Sequence, residues 1–138
     1  MNCPFCNIAK NEPDRVLAEK ENTVVILSNP RLMKGHTLVI PKRHVEKLSQ
    51  LNEKEKEELM NTIIEFQEKI LEDVAEGCDI RRHYRPFLDD AITVSHLHFH
   101  LHPRHFADKL WEKSQQYHRR LFEDITEEEK EEMKQKLS

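Results

Sequence analysis

The chain is 138 residues long, 37% hydrophobic and 35% charged, with a formal net charge of −4. That length suits one compact domain with a modest core, and the acidic balance argues against a nucleic-acid partner. No apolar run approaches the roughly 20 residues that cross a bilayer and the opening MNCPFCNIAK is no signal peptide, so a cytoplasmic protein without membrane contact is expected.

In chain order, Cys3 and Cys6 form a C-x-x-C, while Cys78 has no sequence partner. An odd cysteine count argues against a disulfide scaffold and leaves metal or redox chemistry for the pair. Segment 22–27 is rich in β-branched residues and stops at Ser28-Asn29-Pro30, predicting a strand and a turn. Segment 36–40 predicts a second strand, entered through Gly35 and ended by Pro41. Asn52 with Glu55 forms a capping box that opens a long helix. Leu59, Met60, Ile63, Ile64, Ile70, Leu71 and Val74 recur at helical spacing, and Gly77 is placed as the C-terminal cap. Segment 92–102 alternates apolar and polar and predicts a third strand. Thr126 and Glu129 start a second capping box on a solvated C-terminal helix with few apolar positions. Short-turn strands plus one long helix predict an α+β fold with an antiparallel sheet of about five strands. The expected division is a catalytic domain over 1–106 and a largely helical C-terminal extension over 107–138.

Gly35 and Gly77 are the only glycines, which excludes glycine-rich phosphate loops. Any phosphate must therefore meet side chains and helix ends. The chain offers nine histidines, four of them within 96–102. Strand alternation places His96, His98, His100 and His102 on one face and Leu97, Phe99 and Leu101 on the other. Same-face neighbours lie roughly 6.5–7 Å apart, close enough to share one substrate group or metal. An unpartnered imidazole stripe would be costly to bury. An exposed polar strand face or an adventitious metal stripe is the plainer alternative.

Three blocks resemble the histidine-triad (HIT) superfamily of nucleotide hydrolases and transferases: Cys3-Pro4-Phe5-Cys6-Asn7-Ile8, Gly35 to His44, and His96 to Arg104. The resemblance implies a single HIT-like domain that acts on nucleotides or nucleotide conjugates at the α-phosphorus, and a homodimer. It makes His98 the covalent nucleophile, with His100, His96 and His36 in the catalytic set. Substrate contacts are implied for Asn29, Thr93, Phe5, Ile8 and Arg104, although Arg104 reads equally well as a structural ion pair. A neutral imidazole is a competent phosphorus nucleophile near pH 7. No organic cofactor is implied. Zinc on Cys3, Cys6, His44 and His96 follows from zinc-bearing relatives, with reduced free thiols as the alternative.

The chain departs from the family in three places. His102 stands where an apolar residue is usual, Ile92 replaces a glutamine before the triad, and Arg81-Arg82-His83-Tyr84-Arg85 replaces an Asn-x-Gly stretch. The three arginines suit a polyphosphate tail or a solvated strand edge. Two other functions compete: a non-catalytic nucleotide- or metal-binding module, and a metalloenzyme with one ion on His96, His98 and His100.

Overall fold

The computed structural model describes residues 3–88 and 93–138 and divides into two units, Met1–His105 and Phe106–Ser138. The first is an α+β domain. Helix α1 (Ile8–Asn11) leads to β1 (Val16–Glu19), β2 (Thr23–Leu27) and β3 (Thr37–Pro41), followed by the long α2 (Glu53–Asp73), β4 (Gly77–Arg81) and β5 (Phe99–Arg104). The sheet is antiparallel throughout, in the order β1-β2-β3-β5-β4.

Both sheet faces are covered, which is why β2 and β3 read as continuous apolar runs. On one face Val25, Val39 and Leu101 pack with Leu59, Ile63, Phe66 and Ile70 of α2. On the other, Val24, Ile26, Leu38 and Ile40 pack against Phe5 and Ile8 of the N-terminal arm. Asn52 caps α2 through the Glu55 amide while Glu55 reaches back to the Asn52 amide. Glu55 is buried and also receives two bonds from Arg43, which tie the helix start to the loop after β3.

Several expected elements fall elsewhere. The strand predicted over 92–102 begins only at Phe99, and residues 89–92, including Ile92, lie outside the described residues. The β3–β5 ladder runs from Thr37–Leu101 to Val39–Phe99. Pro41 has no N–H with which to extend it, and the Leu97 amide instead bonds to the Val45 carbonyl. Gly77 does not cap α2, which ends at Asp73, but opens β4. Met60, Ile64 and Leu71 are exposed on α2, and Val74, which follows its last residue, is exposed as well. Gly35 is needed where it stands, because its φ of +85° is left-handed and an added Cβ would lie 3.1 Å from Pro103.

The second unit holds a π-turn at Trp111–Gln115, α3 (Gln116–His118) and α4 (Glu127–Leu137). Thr126 and Glu129 form the α4 capping box, and α4 buries no residue. Among the described residues no helix is long and apolar enough to cross a membrane.

Candidate active site

The site lies on the sheet face covered by the N-terminal arm. His100 pairs with Leu38 across β3 and with Arg81 across β4, so its side chain joins the face of Leu38. Leu97 and Leu101 point the other way into the α2 core, fully buried. The alternation read from the sequence therefore survives although His96 and His98 precede the strand. Ring centroids of His98 and His100 lie 4.8 Å apart and those of His100 and His102 5.6 Å apart.

Hydrogen bonds set the tautomer of each imidazole. His98 Nδ1 lies 2.7 Å from the His96 carbonyl, so it must carry the proton and donate, which leaves Nε2 with a free lone pair. His36 Nδ1 accepts from the Leu32 amide at 3.1 Å, so its Nε2–H donates to His100 Nδ1 at 2.9 Å. The His100 proton is thereby placed on Nε2. Neutral His98 thus offers an acceptor nitrogen and neutral His100 a donor.

Burial keeps these rings neutral, since an imidazolium loses hydration away from water. It lowers His36 to about 4, with the charge of His98 adding to the effect. His100 is lowered to about 3 by burial and its histidine neighbours. His98 is lowered from 6.5, first by burial, against the opposing pull of the His96 carbonyl; nearby Arg82 lowers it further. The ring of Phe5 packs edge-on against His98 at 5.0 Å.

A cleft of about 510 Å³ opens over the row, lined by His98, His100, His102, Arg82, Thr93 and Ser95 among others. That volume suits a nucleotide-sized ligand. Arg81, His83 and Arg85 complete a basic wall. Arg81 lies 3.6 Å from Asp79, while no carboxylate among the described residues pairs with Arg82 or Arg85. The Arg82 guanidinium is held by the Glu46 carbonyl. The sequence marked the arginine run but not its place beside His98, because that depends on how β4 pairs with β5.

The other expected contacts spread out. Thr93 lines the cleft, whereas Phe5 and Ile8 are buried in the arm core, and Asn29 is exposed outside the cleft lining. Arg104 pairs with Asp79 and is likewise outside the lining.

Cys3, Cys6, His44 and His96 converge at the end of the row, their ligand atoms within 4.8 Å of one another. His96 Nε2 donates to the Pro41 carbonyl at 2.7 Å, so its Nδ1 lone pair faces Cys3 Sγ at 3.4 Å and Cys6 Sγ at 3.7 Å. His44 Nδ1 is 3.4 Å from Cys6 Sγ. Bonds of about 2.3 Å to sulfur and 2.0–2.1 Å to nitrogen put tetrahedral S···N edges near 3.5 Å, so the donor set fits zinc. The carbonyl partner that fixes the His96 tautomer is the usual orienting contact of a ligating histidine.

An uncharacterized HIT-like protein of Methanocaldococcus jannaschii is 34% identical over 111 residues, 77% of this chain and 81% of that relative. The adenosine 5'-monophosphoramidase hnt1 of Schizosaccharomyces pombe is 30% identical over 106 residues, 75% of each chain. The crystal structure of a HIT family member from Bacillus subtilis superposes with a TM-score of 0.75 at 22% identity, covering 99% of this chain and 95% of that one. A zinc-bound histidine triad protein from Mycobacterium smegmatis gives a TM-score of 0.63 at 31% identity, with 80% of each chain covered. Fold and site together define a protein of the histidine-triad superfamily. Residues 2–117 match the family model described as scavenger mRNA decapping enzyme C-term binding, and the chain belongs to that family.

Proposed function

We propose that the chain is a nucleotide hydrolase or nucleotidyl transferase that works through a covalent intermediate on His98. The observation that carries this is the 2.7 Å bond from His98 Nδ1 to the His96 carbonyl, which leaves the Nε2 lone pair for attack. His98 Nε2 forms a bond to the α-phosphorus as the bond to the leaving group breaks, and the leaving group departs with the electron pair. Water then attacks the same phosphorus, the P–N bond breaks, and neutral His98 is restored after the water's protons pass to solvent and product. The His100 Nε2–H is suited to donate to a phosphate oxygen as negative charge develops, and His36 keeps it in that tautomer. Substitution of His98 by Ala should lower kcat at least about a thousandfold while the melting temperature holds. Full turnover without His98 would end the reading, and nucleotide binding without turnover in the wild type would favour a non-catalytic module.

The substrate class follows from two supports. The S. pombe relative is named a monophosphoramidase, which favours nucleoside phosphoramidates. The basic wall of Arg81, Arg82 and Arg85 favours an anionic leaving group, as in dinucleoside polyphosphates. Comparing kcat/KM on the two classes decides between them. Zinc on Cys3, Cys6, His44 and His96 would be structural, joining the N-terminal arm to the loop after β3 and to the first triad histidine. A homodimer is also proposed, supported by the exposed Met60, Ile64 and Leu71 on α2.

A further inference from the structure

His102 is the departure from the family pattern that the proposed chemistry does not use. The residue is 2% exposed, yet among the described residues neither ring nitrogen has a hydrogen-bond partner. Buried polar atoms are nearly always satisfied, so this pair of orphans calls for a ligand. His102 does not stand alone. One ligand nitrogen each from His36, His100 and His102 lies within 4.8 Å of the others, and the His36 and His102 rings meet edge to face at 4.5 Å between centroids.

We propose that His36, His100 and His102 form a second metal site, separate from the Cys3–Cys6–His44–His96 group, for a borderline divalent ion such as zinc(II) or cobalt(II). Neutral imidazoles suit such ions, and three of them with one position open is a known tetrahedral pattern. Metal–nitrogen bonds of about 2.0–2.1 Å require N···N edges of about 3.4 Å. His36 Nε2 and His100 Nδ1, now 2.9 Å apart, need only a small opening to accept an ion between them. Both His100 and His102 line the cleft, which gives the ion an entry path.

The proton balance closes without releasing a proton. When His36 Nε2 binds the ion, its ring proton moves to Nδ1 and the bond from the Leu32 amide is given up; Leu32 is exposed, so water can take that amide. His100 binds through Nδ1 and keeps its proton on Nε2, as in the metal-free form. The nearby cations do not face the ion alone. Asp79, paired with His102 across β4 and β5, carries both Arg104 and Arg81.

Metal content decides the matter, read on the full chain after equilibration with cobalt(II) and removal of loose ions on a chelating resin. The wild type should hold two ions per chain, only one of them showing thiolate-to-cobalt charge transfer. His102→Leu, which restores an apolar residue of similar size, should hold one ion and keep the charge-transfer band. His83→Ala, which alters a cleft histidine outside the trio, should still hold two. One ion in the wild type, two in His102→Leu, or a loss in His83→Ala equal to that in His102→Leu would each overturn the second site.

Discussion

The two faces of the sheet use the same strands for opposite chemistry. On the α2 face Leu97 and Leu101 enter a core cluster of Leu, Ile, Val and Phe side chains, and the buried Thr62 hydroxyl is satisfied within the helix by the Glu58 carbonyl. Across the strand, each of His96, His98 and His100 has a bond that sets which nitrogen carries the proton. Within 96–101 the α2-facing leucines are held by area removed from water and the opposite histidines by directed hydrogen bonds, although the arm adds its own apolar cluster to that second face. Damage to the first should therefore appear as lost stability, and damage to the second as lost chemistry.

The largest expected contrast is between His98→Ala and Leu101→Ala. The first should cost at least about a thousandfold in kcat with little change in melting temperature. The second opens a cavity under α2 and should cost about 2–5 kcal/mol of stability, with kcat on the remaining folded fraction near that of the wild type. Denaturant melts and single-turnover kinetics on both variants measure the two effects separately. Equal losses of stability would break the distinction between the faces.

Next in size is the arm that covers the histidine face. Cys3→Ser with Cys6→Ser should remove the thiolate-bound ion, lower the melting temperature with a loss of stability on the order of a few kcal/mol, and loosen residues 3–10. Activity should stay measurable, because His98 keeps its carbonyl partner. Unchanged melting and metal content would make the cysteines free thiols.

The smallest expected effect is a shift in pH dependence. His98 must be neutral to attack, and burial lowers its pKa from 6.5. A lowered pKa preserves the neutral form as pH falls, so the acid limb of kcat/KM should lie below pH 6.5. A limb at or above that value would mean that the nucleophile is not as desolvated as its surroundings require.

How much of this was legible in the sequence follows from the same contrast. The α2 face and the central strands could be read because burial leaves a local pattern: continuous apolar runs in β2 and β3, a capping box at Asn52, and Leu97, Phe99 and Leu101 in alternation. β4 escaped because its Gly77, Asp79 and Arg81 are polar or small and the strand is defined by pairing with β5. The pattern alone starts β5 too early, because alternation continues through 93–98 while the Leu97 amide bonds to the Val45 carbonyl. In the site, the C-x-x-C and the histidine row are visible in the sequence, whereas their convergence with His44 is implied only by the family resemblance and appears in the fold. The meeting of His102 with His36, and of Arg82 with His98, is set by register between strands distant in sequence. No local pattern reports it.

The most direct test of a covalent carrier is a rapid quench of wild-type enzyme with a radiolabelled nucleoside phosphoramidate or dinucleoside polyphosphate, followed by peptide mapping. An acid-labile nucleotidyl group on His98, formed and lost at rates that match turnover, is the predicted result. Turnover at full rate with no label on His98 at any quench time would contradict it.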